Sequence, residues 1–372
     1  MASELETQAA RLFSVGFHGK APSDDLRALL ERGVGGVIFF SRNVGDPAEV
    51  ADSTSAIKRQ AGRPLIISLD QEGGKVARLR RGFSELPSMR ALGETHDPAL
   101  AREVGALIGR ELRAVGFDLN YAPVLDVDTN PDNPVIGSRS FGRTAERVSA
   151  LAVALQSGLE SAGVAACGKH FPGHGDTKQD SHLELPRLSH SLDRLRQVEL
   201  RPFVAAIAAG IPALMTAHVV FEPLDPLYPA TMSRAVLHGL LREELGYDGL
   251  LISDDLEMRA IADHYEVAET VLRGLDAGID QFLCCHTAAL AHRAIDAVVH
   301  AVERGQLSRE RLASANKRIQ SFTARYARPA FETPDLSVLR CAAHLALLEQ
   351  VARGVDAADP TAVMERIRAE RG

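Results

Sequence analysis

The sequence predicts an α/β fold, a (β/α)₈ TIM-type barrel with a C-terminal helical appendage. Eight apolar, β-branched runs recur along the chain, and a polar turn and then a helical pattern follow them. Polar residues stand directly at the ends of several runs, where a barrel places its chemistry. After Pro329 the character changes, and the rest of the chain contains only helical patterns. A doubly wound parallel sheet is the alternative, because a strand count from sequence is approximate.

The predicted strands end at or beside residues that are suited to chemistry. They span residues 12–17, 34–40, 64–70, 117–124, 164–169, 213–218, 249–254 and 280–285. Asp70, Lys169 and Asp254 each end one of these runs. His170 follows Lys169 directly, and His218 ends another run. Because parallel barrel strands present their carboxyl ends on one face, we expect these side chains to meet there.

Capping residues and glycines predict where the helices between the strands begin and end. The predicted N-caps are Ser23, Asp97, Thr144, Ser191, Ser233 and Asp263. Gly33, Gly116 and Gly163 predict the ends of the first three of these helices. We therefore expect helices to alternate with the strands, as the (β/α)₈ barrel requires.

The chain is predicted to divide into a catalytic barrel, residues 1–328, and a helical C-terminal extension, residues 329–372. Within the extension, residues 337–355 have the apolar spacing of an amphipathic helix. Residues 360–372 predict a second helix. We expect this appendage to pack against the outside of the barrel.

Composition excludes several classes of protein. The chain has 372 residues, of which 45% are hydrophobic and 24% charged, which is ordinary for a soluble globular protein. The net charge is −7 without a basic block, so no nucleic-acid partner is expected. There is no signal-peptide core and no apolar run of roughly 18 residues, which predicts a cytoplasmic protein without a membrane partner. Four cysteines have no zinc-like spacing, and Cys284 and Cys285 are predicted to be buried free thiols.

The densest group of titratable residues lies in one stretch, 168–182, with the sequence GKHFPGHGDTKQDSH. It contains three histidines and two aspartates and directly follows an apolar run. Asp180 and His182 are two residues apart, so in extended conformation their side chains point to the same side. A carboxylate beside an imidazole fixes its tautomer and raises its basicity, as in acid–base dyads. Gly173 and Gly175 predict a loop with backbone freedom, which makes closure over a substrate plausible.

Other candidate residues lie at strand ends or in long loops. Asp254, after the run GLLIS, is a candidate nucleophile or general base, with helix capping as the alternative for it or for Asp255. Asp70 is suited to accepting hydrogen bonds from sugar hydroxyls. Arg78 is placed to fold back over the pocket, with a surface salt bridge as the alternative.

Arg139, in the loop NPVIGSRSFG, is suited to bidentate binding of a ligand oxygen. In the same loop, Asp126 and Asp128 are expected to order the backbone.

These residues leave three chemistries open. In a glycoside hydrolase, Asp254 would act as nucleophile with a separate acid, either the Asp180–His182 dyad or Glu184. In a metal hydrolase, nitrogen and oxygen ligands would come from His170, His174, Asp176, Asp180, His182, His218 and Asp254, although their spacing fits no compact motif. A sugar- or peptide-binding regulator on a barrel scaffold is the third possibility.

Four motifs together resemble glycoside hydrolase family 3, and within it the β-N-acetylglucosaminidase branch of the NagZ type. They are LDQEGGKVARLR, IGSRSFG, KHFPGHGDTKQDSH and LLISDDLEM, in the order of that family and within residues 10–325. KHFPGHGDT followed by DSH is specific to this branch, whereas SDD alone is a weak signal. The stretch after Pro329 is not covered by the resemblance.

The resemblance implies a mechanism and a substrate. Asp254 would form a covalent glycosyl-enzyme, and His182, oriented by Asp180, would protonate the leaving group and then activate water. The residues implied to hold the N-acetylglucosamine (GlcNAc) unit are Asp70, Arg78, Arg139, Lys169 and His170. The family needs no metal and no cofactor. The implied substrate is a small sugar, the muropeptide GlcNAc-1,6-anhydro-MurNAc-peptide of peptidoglycan recycling. Some relatives use phosphate in place of water, so phosphorolysis by the same residues is the alternative.

Overall fold

Eight parallel strands close into a barrel in the computed structural model, which describes residues 3–178, 184–331 and 333–358. In chain order, β1 to β8 are Phe13–Val15, Gly36–Phe39, Ile66–Leu69, Leu119–Asn120, Ala165–Phe171, Ala213–Thr216, Leu250–Asp255 and Gln281–Cys284. Each strand overlaps one of the eight apolar runs, and β5 and β7 extend slightly beyond the predicted ends. Strand number and position are therefore confirmed.

The barrel closes because the first strand pairs with the last. Consecutive strands are neighbours throughout, and β1 pairs in parallel with both β2 and β8. Ser14, for example, is level with Gly36 on one side and with Leu283 on the other. A doubly wound sheet has two free edges, so this closure rules it out and confirms the (β/α)₈ class.

The helices lie between and around the strands. The α-helices α1 to α13 are Glu4–Arg11, Asp24–Arg32, Pro47–Ala61, Met89–Glu94, Pro98–Ala114, Ala145–Ser161, Leu192–Gln197, Arg201–Ala208, Arg259–Ala262, Val267–Ala277, Ala288–Glu303, Arg309–Tyr326 and Ala342–Ala358. A further helix of π type spans Ala235–Glu244. Among the helices that the structure describes, none has the length and hydropathy of a membrane span.

Most of the predicted helix caps are confirmed. The side chains of Ser23, Asp97, Thr144 and Ser191 accept backbone N–H groups at the starts of α2, α5, α6 and α7. The Ser233 hydroxyl accepts the N–H of Val236 in the same way, although the π-type helix begins at Ala235. Asp263 is not an N-cap. Its N–H donates to the Arg259 carbonyl, so it ends α9, and α10 begins only at Val267.

Aromatic residues from strands and loops pack inside the barrel and under its helices. Phe39 lies edge-to-face between Phe17 and Phe117, with ring centroids 5.0 and 5.2 Å apart. Phe171 packs edge-to-face on Phe203 of α8. Burying one such side chain stabilises the fold by about 1.5–3 kcal/mol. This packing leaves the carboxyl ends of the strands as the open face where polar residues meet.

The C-terminal extension contributes one helix to the described structure. Helix α13 begins at Ala342, five residues after the predicted start at Ser337. Asp335 accepts the N–H and the hydroxyl of Ser337 in a local turn, and Arg340 has a φ of 49°. That backbone conformation is incompatible with a continuous right-handed helix. The second predicted helix, residues 360–372, lies outside the described residues, and the division at residue 328 stays a prediction.

Candidate active site

A cavity of about 300 Å³ opens at the carboxyl end of the barrel. Asp70 follows β3, Lys169 and His170 belong to β5, and Asp254 belongs to β7. Their side chains line this cavity, as do those of the loop residues predicted to bind sugar. The predicted binding residues that line it are Asp70, Arg78, Arg139, Lys169 and His170. The structure therefore brings residues that are far apart in sequence into one site.

Lys169 is the centre of a buried ionic cluster in this cavity. Its Nζ lies 2.7 Å from Asp70 Oδ1 and 2.6 Å from Glu72 Oε1. Burial alone would lower the pKa of Lys169, but the two carboxylates outweigh burial and raise it. The ammonium group is therefore charged at neutral pH and is held in place by both carboxylates.

Two arginines complete the cluster. Arg78 Nη2 donates to Asp70 Oδ2 at 3.0 Å, and its buried Nε has no hydrogen-bond partner among the described residues. Arg139 Nε and Nη2 donate to the two oxygens of Glu72, each at 2.8 Å, in a bidentate pair. A buried donor without a partner is costly unless a ligand or water satisfies it. Arg78 also lines the cavity, so its guanidinium lies beside the space that a ligand would occupy.

Both carboxylates of the cluster are ionised. Burial opposes ionisation of Asp70, but Lys169 and Arg78 hold its pKa well below the ordinary value. Burial likewise opposes ionisation of Glu72, but Arg139 and Lys169 lower its pKa to about 2. Neither group is a suitable proton donor at neutral pH, because neither carries a proton there.

A short hairpin presents Glu72 and Arg78 to the cavity. Gln71–Gly73 pairs antiparallel with Val76–Ala77. The Gln71 side chain closes this hairpin, since its Oε1 accepts the N–H groups of Arg78 and Leu79. Gly73 has a φ of 109°, and a Cβ there would lie 2.4 Å from the Pro87 carbonyl oxygen. The turn therefore requires glycine at this position.

Asp126 orients the histidines of β5 and of the loop after it. Its Oδ2 lies 2.7 Å from His170 Nδ1, and its Oδ1 accepts the N–H of His174 at 2.7 Å. Because a carboxylate accepts, His170 Nδ1 carries the hydrogen and Nε2 is left for a ligand. Burial lowers the pKa of His174 to about 4, and its Nδ1 lies 2.8 Å from Thr177 Oγ1. Asp126 thus acts on the cavity histidines and not merely on its own loop.

The segment Gly173 to Gly175 is buried and tightly packed. A Cβ on Gly175 would lie 1.8 Å from the Val127 carbonyl oxygen. Gly173 has a φ of 134° and lies against Glu199. Beyond it, Asp176 accepts a hydrogen bond from Thr129 at 2.7 Å. These glycines allow close approach of two backbones, and closure of this loop over a substrate stays a prediction.

Asp254 lies at the end of β7 with its carboxylate in the cavity. Its Oδ1 accepts the N–H of Asp255 at 2.8 Å. Burial favours the neutral form, but His170, His218, the Asp255 N–H and Lys169 outweigh burial and lower the pKa of Asp254. His218 Nε2 donates to the Asp255 carbonyl at 3.0 Å, and burial lowers the pKa of His218. The strand end therefore presents an ionised carboxylate beside a neutral imidazole.

The predicted acid–base dyad, Asp180 and His182, lies outside the described residues. Glu184, the alternative acid, is exposed where the described chain resumes. Within the described ranges, no group of three or more His, Cys, Asp or Glu side chains could hold a metal ion. Of the residues considered as metal ligands, Asp176 is bonded to Thr129 and His190 and does not line the cavity.

Glu72 lines the cavity but was not predicted from the sequence. It bonds both Arg139 and Lys169, so it links two of the predicted sugar-binding cations. The signal for it was present in the sequence. Asp70 and Glu72 are two residues apart after a strand, and residues at that spacing in extended backbone point to the same side.

Comparisons with known proteins identify the family of this chain. The sequence model of a protein family, the glycosyl hydrolase family 3 N-terminal domain, matches residues 4–322. A β-hexosaminidase of Thiobacillus denitrificans is 43% identical over 274 residues, which are 72% of this chain and 76% of that protein. A family 3 β-N-acetylglucosaminidase of Paenibacillus sp. FPU-7 is 43% identical with a TM-score of 0.91, covering 95% of this chain and 69% of that one. Native NagZ of Neisseria gonorrhoeae is 33% identical with a TM-score of 0.78, covering 92% and 97%.

Proposed function

The chain belongs to glycoside hydrolase family 3 and is a β-N-acetylhexosaminidase, and on that premise we propose that it is a retaining exo-β-N-acetylglucosaminidase. The proposed reaction removes the non-reducing terminal GlcNAc from muropeptides, the GlcNAc-1,6-anhydro-MurNAc-peptides. The observation that carries the proposal is the ionised carboxylate of Asp254 in the same cavity as the Lys169 cluster.

In the proposed first step, the Asp254 carboxylate attacks the anomeric carbon of GlcNAc and forms a covalent glycosyl-enzyme. A nucleophilic carboxylate must be ionised, and the lowered pKa of Asp254 meets that requirement. In the second step, water attacks the same carbon and releases GlcNAc with retained configuration. The Lys169 cluster supports this role because it offers fixed cations and anions for the hydroxyl and N-acetyl groups of one sugar.

The leaving group needs an acid, for which we propose His182, oriented by Asp180. Asp70 and Glu72 line the cavity but are ionised and bound to cations, so they cannot supply the proton. Histidine has an ordinary pKa of about 6.5, which suits donation in the first step and acceptance from water in the second. The assignment of this dyad rests on the DSH motif and the family resemblance.

The size of the cavity supports removal of one terminal sugar. About 300 Å³ is at the small end of ligand sites in proteins, too small for several sugars of a chain. We propose that Asp70, Arg78, Arg139, Lys169 and His170 hold that terminal GlcNAc. The muropeptide as substrate, its place in peptidoglycan recycling and a cytoplasmic location are proposed from the family resemblance.

Covalent trapping tests the nucleophile. A 5-fluoro GlcNAc donor slows both steps, so the glycosyl-enzyme accumulates and is digested for mass spectrometry. We expect one labelled peptide, containing Asp254. A label on any other residue would contradict the assignment. Asp254→Ala is the control. It is expected to keep the fold and to remain unlabelled.

The acid is tested by comparing leaving groups. His182→Ala is expected to slow an unactivated glycoside far more than an aryl glycoside whose leaving group needs no proton. Equal losses on both would count against an acid role for His182.

The acceptor and the metal alternative are tested on the wild-type enzyme. Turnover in phosphate buffer is expected to yield free GlcNAc, whereas GlcNAc-1-phosphate as the main product would indicate a phosphorylase.

Dialysis against a chelator is expected to leave turnover unchanged. Loss of turnover, with recovery on adding zinc or manganese, would support the metal hydrolase instead.

A further inference from the structure

A buried histidine in the C-terminal helix has no role in the site described above. His344 of α13 places Nδ1 2.9 Å from Glu111 Oε1 on α5, and both side chains are buried. Arg110 Nε donates to His344 Nε2 at 3.2 Å. Because arginine only donates, His344 Nε2 accepts, and its Nδ1 carries the hydrogen that is donated to Glu111.

Glu111 joins three parts of the chain through one carboxylate. Besides His344, its Oε1 accepts the N–H of Arg340 at 2.9 Å, which ties it to the extension a second time. It also accepts the N–H of Ser84 at 2.9 Å and the hydroxyl of Ser84 at 2.6 Å. The C-terminal extension is thereby bonded, through a single side chain, to the segment that follows the Glu72–Arg78 hairpin.

That segment supports the hairpin directly. Gly74 donates its N–H to the Leu86 carbonyl at 3.1 Å, and the Pro87 carbonyl lies against Gly73. The hairpin turn is therefore in contact with residues only a few positions after Ser84. A shift of Ser84 would therefore displace the residues that support the turn, and with them the hairpin that presents Glu72 and Arg78 to the cavity.

A second path leads from α13 to Arg139. Helix α13 packs on α4, and Gly354 lies against Thr95 at the end of α4. From α4, Arg90 pairs with Asp128 and donates to the Gly137 carbonyl at 3.3 Å. It also donates to the carbonyl of Ser140. The Arg90 guanidinium therefore binds backbone carbonyls both before and after Arg139 in the sequence. Arg139 in turn makes the bidentate pair with Glu72.

We propose that the C-terminal helix α13 holds the loops of Arg78 and Arg139 in their substrate-binding geometry, with His344 and Glu111 as positioning residues. The inference rests on the proposed function, since it takes both arginines as ligands of the sugar. Binding groups act well only when supporting contacts fix them, because a loosely held group must be ordered when the substrate binds. The extension supplies that support from outside the part of the chain matched by the family model.

The test uses the full-length enzyme and steady-state kinetics on an aryl GlcNAc glycoside. His344→Ala removes the donor to Glu111 and is expected to raise KM roughly threefold to tenfold with kcat changed by less than about twofold. His344→Asn keeps a donor close to the position of Nδ1, so it is expected to restore most of the wild-type KM. Ser84→Ala deletes only the hydroxyl contact with Glu111 and is expected to raise KM less.

Asn316→Ala is the matched control. Asn316 of α12 is also buried, and its side chain bonds Arg11, Gln8 and Leu312. It does not line the cavity. It is expected to lower thermal stability without changing KM. If His344→Ala and Ser84→Ala leave KM at the value of this control, the positioning role is refuted. An inactive wild type would instead contradict the proposed function, so the two failures are distinguishable.

Discussion

Both ends of the barrel bury carboxylates among lysine and arginine side chains, but the two carboxylates of the Lys169 cluster differ from those of the amino end in their other partners. At the carboxyl end, the described hydrogen-bond partners of Asp70 and Glu72 are all side chains. At the amino end, Asp118 directly precedes β4 and binds Lys58 and Arg113. It also accepts the N–H of Ile67, in the adjacent strand β3, at 3.0 Å.

The second buried acid of the amino end shows the same pattern. Asp280 directly precedes β8 and pairs with Arg242. It also accepts the N–H of Leu251, in the neighbouring strand β7, at 3.1 Å. A carboxylate that binds backbone of a neighbouring strand fixes the register of the barrel. One that binds only side chains beside a cavity can exchange a partner for a ligand. An ionic cluster therefore indicates a binding site only together with its partners and its cavity.

The largest expected effect is on catalysis at the carboxyl end. Asp254→Asn removes the charge of the proposed nucleophile with little change in shape, so kcat is expected to fall on the order of 10⁴-fold. The thermal unfolding midpoint should stay close to wild type, because the described hydrogen bond of Asp254 is to the adjacent N–H and an amide oxygen can replace it. Near-normal turnover, measured after excluding wild-type contamination, would remove Asp254 as nucleophile.

The amino end should respond in the opposite way. Asp118→Asn leaves the buried ammonium of Lys58 without its counter-charge, so the free energy of unfolding is expected to fall by about 3–5 kcal/mol. KM and kcat should stay within experimental error below the unfolding temperature. Urea unfolding and kinetics on the same preparation measure both. A changed KM would mean that the two ends are coupled and that the comparison fails.

Within the site, the carboxylate of Glu72 can be tested in the same way. Glu72→Gln keeps the size of the side chain but weakens the hold on Arg139 and Lys169, so kcat/KM is expected to fall about 10²- to 10³-fold. Wild-type enzyme should be stabilised against heat by added GlcNAc, and the variant should lose that stabilisation. If GlcNAc raises the melting temperature of both equally, Glu72 does not organise the sugar site.

The barrel was predictable because its signal is local. Each strand is a short apolar run, and the caps Ser23, Asp97, Thr144 and Ser191 act on N–H groups within their own first turn. Asp263 was misassigned for the same reason. Aspartate is a common residue at a helix start, but the N–H of Asp263 donates to the Arg259 carbonyl and so belongs to the last turn of α9.

The site was predictable only in part because its partners are far apart in sequence. Strand ends identified Asp70, Lys169 and Asp254. Nothing local indicates that Glu72 bonds a guanidinium 67 residues away in Arg139. The roles of Asp180 and His182 stay predictions, since these residues lie outside the described part of the chain.

The smallest effect concerns pH, and it too separates the two ends. Buried histidines of lowered pKa, His174 and His218, lie at the carboxyl end, whereas the charged partners of Asp118 and Asp280 described above are lysine and arginine. The unfolded chain binds a proton on His174 below its ordinary pKa of 6.5, and the folded chain does so only below about 4. Stability is therefore fully present above pH 6.5 and is lost as pH falls towards 4, by about 3 kcal/mol from this residue.

Urea unfolding of wild type and His174→Asn at pH 7 and at pH 4.5 tests this contribution. The variant lacks the titrating group, so its free energy of unfolding should fall less between the two values. Carboxylates of lowered pKa, such as Glu72 at about 2, lose their contribution mainly below pH 4.5 and affect both proteins alike. Equal pH dependence in both would show that His174 is protonated in the folded enzyme. The pH-sensitive part of the stability would then come from groups other than His174, such as His218.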